Sequence, residues 1–169
     1  MLIGWCPQTN IDTLRELIRK HKIKSVIEVG CFVGLSTVFF AEQGCKVWAI
    51  DTFDAAKRER YLNPQYKKVA EFQYRVFRKN TQAFRNVIPL VMTSEEAAYL
   101  NIEADLVYID ASHNYEDVKK DIALWLPKAK KILCGDDYTE RWPGVRQAVD
   151  ECGLEINKNQ RVWFHEKEK

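Results

Sequence analysis

Short, nearly continuous apolar runs recur along the chain, and between them apolar residues fall at helical spacing. Ile11, Leu14, Leu17 and Ile18 share one helical face, and the run SVIEVG follows as a first strand. LSTVFFAEQG reads as a short helix closed by Gly44, and KVWAID as a second strand. A long basic and aromatic stretch comes next, whose later part sets Val69, Phe72, Val76, Ala83, Phe84 and Val87 on one helical face. IPLVM predicts a third strand, SEEAAYL a short helix and DLVYID a fourth strand. Val118, Ile122, Trp125 and Leu126 mark the clearest helix, with Asn114 and Asp117 as a capping pair and Pro127 ending it. KKILCGDD predicts a fifth strand, and GVRQAVDEC a helix with Val145, Ala148, Val149 and Cys152 on one face. LEINKN and QRVWFHE predict a terminal antiparallel pair.

Five strands alternating with helices imply an α/β fold, a mostly parallel sheet covered on both faces. The runs are too continuously apolar for strands with one wet face. In such folds ligands bind beyond the carboxyl ends of the strands. Those positions hold Gly30, Asp51, Ser94, Asp110 and the pair Asp136–Asp137.

Composition narrows the class. With 169 residues, 46% of them hydrophobic, the chain suits one domain over 1–169, with an N-terminal helix within 1–24 and a basic, aromatic insertion over 54–79. No apolar run approaches the ~20 residues of a membrane span, and the first residues lack the pattern of a signal peptide, so a soluble, cytoplasmic protein is expected. A net charge of +2 demands no nucleic-acid partner. Cys6, Cys31, Cys45, Cys134 and Cys152 are scattered without a CxxC pair, which suggests neither a disulfide framework nor a zinc site.

The first candidate chemistry lies in EVGCFVGLST, between the first strand and its helix. Gly30 and Gly34 let the backbone approach a ligand, and a helix N-terminus follows. The dinucleotide fingerprint G-x-G-x-x-G fails, because Phe32 and Leu35 stand at its second and third glycines, and no P-loop is present. Asp51 ends the second strand about twenty residues on, the spacing of an acid that binds ribose hydroxyls. Together they point to a nucleoside cofactor; a plain turn and a loop-capping acid are the alternatives.

The segments VIEVGCFVGLST, AIDTF, SEEAA, YIDASHNYEDV and GDDY…PGVRQAV together resemble class I S-adenosylmethionine-dependent methyltransferases. The likeness is to the small metal-dependent O-methyltransferases of the catechol and macrocin type, including cephalosporin-hydroxylase-like proteins, and runs from about Ser25 to Cys152. It implies a Rossmann-like, doubly wound, seven-stranded sheet whose last strand is antiparallel. By position it implies that Glu28, Gly30, Phe32 and Ser36 hold the methionine end of the cofactor. Asp51 and Thr52 would then bind ribose and lie beside adenine, and Ser94 and Glu95 would close over the adenine edge.

Asp110, Asp136 and Asp137 end two strands that the family's sheet order would make neighbours, about 4.8 Å apart. Carboxylates converging there repel one another unless protonated or neutralised by a cation, and hard oxygen donors suit Mg²⁺, Mn²⁺ or Ca²⁺. The alternative is that GDD merely opens a loop. The family's metal ligands fall on these three acids. His113, three residues past Asp110, can take a proton near neutrality; catechol-type relatives often carry Lys there. Asp110 and His113 are therefore the catalytic candidates. Eight Lys or Arg interleave with aromatics between Lys57 and Lys79, a pattern that binds RNA in some proteins but more often forms a solvated face. The expectation is a Mg²⁺-assisted O-methyltransferase acting on a small hydroxylated molecule, with nucleic acid and membrane not expected as partners and a homodimer left open. Rival readings are an RNA methyltransferase and a non-catalytic cofactor-binding partner protein.

Overall fold

A computed structural model of the chain describes residues 6–54 and 72–167. The five apolar runs form strands: β1 Ser25–Val29, β2 Lys46–Asp51, β3 Val87–Val91, β4 Ala104–Ile109 and β5 Ala129–Gly135. Helix α1, Gln8–His21, precedes them, and α2 Leu35–Glu42, α3 Gln73–Thr81, α4 Ser94–Ala98, α5 Tyr115–Trp125 and α6 Pro143–Asp150 follow in turn. A hairpin of β6, Asn157–Asn159, and β7, Val162–Glu166, completes the chain. No helix among the described residues is long and apolar enough to cross a membrane.

These strands build one seven-stranded sheet in the order β3-β2-β1-β4-β5-β7-β6. The first five run parallel, and β7 lies antiparallel to both β5 and β6. This is the Rossmann-like, doubly wound arrangement. Alternation along β1 sends Val26 into the core cluster under α1, α2 and α3, and Ile27 and Val29 into the cluster under α5 and α6. Glu28 points to the same face as Val26, so its carboxylate is fully buried in front of α2. The chain leaves β1 toward β3 and returns to β4 on the other side. That reversal opens a crevice at the carboxyl ends of β1 and β4.

Local chemistry explains most boundaries. Helix α2 closes where Gly44 takes φ 77°, with Gly44 N–H bonded to the Ala41 carbonyl and Cys45 N–H to the Phe40 carbonyl, a Schellman ending. Pro127 falls in a 3₁₀ turn, Leu126–Lys128, directly after α5. The helical face expected to run on through Ala83, Phe84 and Val87 does not: α3 ends at Thr81, and Val87 begins β3. Phe84 and Val87 are apolar because they pack on the first core cluster, from a turn and a strand. Asn114 does hold the N-cap position of α5, but its side chain donates to Asp117 instead of capping the backbone. A capping box stands at α4, where Thr93 and Glu96 satisfy each other's backbone N–H. LEINKN forms a strand only over its last three residues.

Gly30 and Gly44 both have positive φ, but a Cβ on Gly30 would lie 2.3 Å from the Asp110 carbonyl oxygen, whereas nothing lies within 4 Å of one on Gly44. Gly44→Ala should therefore cost only the left-handed strain of about 1 kcal/mol. Gly30→Ala should cost about 3 kcal/mol or more, because backbone must move at the junction of β1 and β4. Urea unfolding of the two variants checks this, and equal losses would contradict the close approach.

Candidate active site

The crevice holds a cavity of about 400 Å³, within the range of small-molecule and cofactor sites. Its walls are the strand ends Val29–Gly30 and Ile50–Thr52, the segment Met92–Glu95, the loop Ala111–Asn114 and one face of α5. Asp51 anchors the β2 side and is almost completely buried. Its carboxylate accepts the Phe32 N–H at 2.8 Å, the Phe53 N–H at 2.8 Å and the Gln73 amide at 3.3 Å. Gln73 Oε1, beside it, is buried without a partner among the described residues. At the far side Asp121 of α5 accepts the Ser94 hydroxyl, which in turn accepts the Trp125 indole N–H at 2.8 Å. Burial pushes the Asp121 carboxyl up to about 6, against the pull of the Ser94 hydrogen bond.

Behind the glycine loop, Glu28 accepts the Ser36 hydroxyl and, at 2.5 Å, the Thr37 hydroxyl. Burial outweighs these two bonds and pushes the Glu28 carboxyl up to about 7. Phe32 (φ 47°), Phe53 (φ 51°) and Asp137 (φ 62°) all adopt left-handed backbone. Five described non-glycine residues have positive φ, and these three follow β1, β2 and β5 at the carboxyl edge of the sheet, where surrounding contacts hold local strain.

Beside the cavity lies a group of acids. Asp110, His113 and Asp137 each offer one donor atom, and the three atoms lie within 4.8 Å of one another. His113 Nε2 is 2.5 Å from Asp137 Oδ2, and its ring stacks on Trp142 with centroids 3.9 Å apart. The other Asp137 oxygen accepts Arg161 Nη2. Asp136 is turned away from this trio: it accepts the Asn10 amide at 2.6 Å, Arg161 Nε at 3.2 Å and the Asp137 N–H at 2.6 Å. Burial, and next the Asp137 charge, push the Asp136 carboxyl up despite Arg161. Burial first, then Asp110, Glu28 and Asp136, push the nearby Cys6 thiol up to about 12, so it is not a thiolate.

The residues expected from sequence thus divide into groups. Gly30, Asp51, Thr52, Ser94, Glu95 and His113 line the cavity. Glu28 and Ser36 sit behind the loop and shape it, while Phe32 contributes its backbone N–H to Asp51. Asp110, Asp136, Asp137 and His113 line a small adjoining pocket, so His113 borders both spaces. Arg161 and Asn10 escaped the sequence reading. The terminal antiparallel pair carried a signal for Arg161, since pairing Gly135 with Trp163 brings Arg161 alongside Asp137. Most of the basic aromatic segment, 55–71, lies outside the described residues.

Residues 27–138 match a family described as a methyltransferase domain, and the chain belongs to that family. It is a class I, S-adenosylmethionine-dependent methyltransferase. No curated protein matches it in sequence. Among solved structures it is similar to an O-methyltransferase from Bacillus cereus in complex with SAH (TM-score 0.69, 13% identity, 98% of this chain and 84% of that one). It also resembles a TDP-rhamnose 3'-O-methyltransferase of calicheamicin biosynthesis (0.65, 15%, 96% and 80%). A third likeness is to magnesium protoporphyrin IX methyltransferase from Synechocystis with bound SAM (0.59, 16%, 98% and 86%). At these identities the likeness is one of fold.

The folded chain keeps the Glu28 proton until about pH 7, whereas an ordinary glutamate releases it near 4.5. Stability from this group is therefore complete below pH ~4.5 and is lost as pH rises through about 7. Glu28→Gln cannot ionise and should flatten that part of the profile. Urea midpoints between about pH 5 and 7 should fall more steeply for wild type than for the variant; equal slopes would mean that Glu28 is charged in the fold.

Proposed function

We propose that the protein transfers a methyl group from S-adenosylmethionine to a hydroxyl of a small molecule, with His113 as the general base. The observation that carries this reading is the position of His113, which borders the 400 Å³ cavity and also bonds Asp137 in the acidic pocket. The cavity suits the cofactor: a buried acid ends β2 where ribose hydroxyls need an acceptor, and an orphan Gln73 oxygen lies next to that acid. When bound, the cofactor supplies an electrophilic methyl on a sulfonium centre.

His113 Nε2 lies against the Asp137 carboxylate. His113 takes the proton of the acceptor hydroxyl, and Asp137 stabilises the imidazolium that results. Stacking on Trp142 restrains the ring plane. The donor set Asp110, His113 and Asp137, rich in oxygen and close together, also fits a hard divalent cation such as Mg²⁺. Those residues would hold it, and it would supply positive charge that lowers the pKa of an acceptor hydroxyl.

At a hundredfold excess over its dissociation constant, S-adenosylhomocysteine should raise the unfolding midpoint by roughly 5–10 °C, with NAD giving no shift. Asp51→Ala should abolish most of the rise. A shift with NAD and none with the methyl donor or its product would refute the cofactor assignment.

Turnover is tested with labelled cofactor across phenols and sugars, with Mg²⁺ or with chelator. Asp137→Asn should lower turnover about a hundredfold or more, because it removes both the imidazolium's counter-charge and a cation ligand. His113→Ala separates the roles: loss of a base removes the acid limb of the pH profile and spares calorimetric Mg²⁺ binding, whereas loss of a ligand weakens that binding. Full turnover of His113→Ala at every pH would remove it from the chemistry.

A further inference from the structure

Arg161 reaches the acidic pocket from the β6–β7 hairpin, and its guanidinium spans two carboxylates. Nε donates to Asp136 Oδ1 at 3.2 Å, and Nη2 donates to Asp137 Oδ1. Asp137 thereby has one oxygen on Arg161 and the other on His113 Nε2. Asp136 likewise has both oxygens engaged, with Arg161 and the Asp137 N–H on one and Asn10 on the other. Two adjacent buried aspartates are stable as a charged pair only with a counter-charge, and the side chain that supplies it is already in contact. Yet Asp137 is also one of the three residues whose donor atoms converge within 4.8 Å.

We infer that Arg161 is the resident counter-cation of the acidic pocket and competes with a divalent metal for Asp137, so that it sets the metal affinity of the site. This rests on the reading of Asp110, His113 and Asp137 as cation ligands. Its physical basis is simple electrostatics. Asp110, Asp136 and Asp137 carry three negative charges when ionised, and Arg161 cancels one of them. A unit positive charge several ångströms from a divalent ion lowers its affinity about tenfold even under the screening of bulk water. An ion that takes Asp137 must also break the Arg161 bond or share the carboxylate with it. Arg161 is thus a positioning residue: it holds the Asp137 carboxylate in place and tunes what else that carboxylate can bind.

The test is calorimetric titration of Mn²⁺ into wild type, Arg161→Gln and Arg161→Lys, with S-adenosylhomocysteine binding as the control for folding. Arg161→Gln should bind Mn²⁺ at least about tenfold more tightly than wild type. Its metal-free unfolding midpoint should be lower, and Mn²⁺ should restore it. Arg161→Lys, which keeps the charge but cannot span both carboxylates, should bind Mn²⁺ more tightly than wild type and less tightly than Arg161→Gln. In the wild-type protein the Arg161 guanidinium NMR signals should move as Mg²⁺ saturates, a measurement that needs no variant. Equal or weaker Mn²⁺ binding by Arg161→Gln, or static Arg161 signals at saturating Mg²⁺, would overturn the inference and leave the cation site standing. Absence of metal binding in all three proteins would overturn the inference and the cation site together, while leaving the cofactor assignment to its own test.

Discussion

Asp51 sits where β2 runs out, and its carboxylate accepts bonds from three separate stretches: the glycine loop through Phe32, its own loop through Phe53, and α3 through Gln73. Two of the donors, Phe32 and Phe53, have left-handed backbone, and the carboxylate helps to hold them there through their N–H groups. The same carboxylate faces the cavity where the ribose is expected. Under the proposed reading, loop order and cofactor binding draw on one acceptor, because the carboxylate that would meet the ribose already ties these stretches together.

The fold disposes of its buried acids in two ways. Glu28, held between two hydroxyls in front of α2, is met by neutral donors and keeps its proton to near neutrality. Asp136 and Asp137 are met instead by the Arg161 guanidinium. The difference follows from position. Glu28 lies inside the sheet's helical cover, where two hydroxyls meet its carboxylate, whereas the acids after β5 stand within reach of the hairpin that pairs with β5. One acid thus organises a loop without adding charge to the crevice, and the other two concentrate charge beside it.

The apolar runs made five strands and the crevice legible from sequence, because strands buried on both faces leave little room for polar residues. Gly30 and Asp51 were legible because a tight turn and a strand-end acid follow from local chain geometry. What sequence reading missed depended on distant pairing. Asn10 meets Asp136 across 126 positions of the chain, which no local pattern encodes. Arg161 carries no local signal, and it is the register of β7 against β5 that sets it beside Asp137. The overextended third helix failed for a related reason, since Phe84 and Val87 kept the helical period while packing from a turn and a strand.

Both margins of the sheet are short of bonding capacity. β3, at one margin, carries Pro89, which has no N–H to offer, and β6, at the other, is three exposed residues, Asn-Lys-Asn. A lysine-bearing stub and a proline are the features that keep an open strand from recruiting another chain. Copies of this protein are thus discouraged from joining through a continuous intermolecular sheet at these two margins. Aggregation by strand addition, a hazard for any open sheet, is disfavoured by the very residues that form its edges.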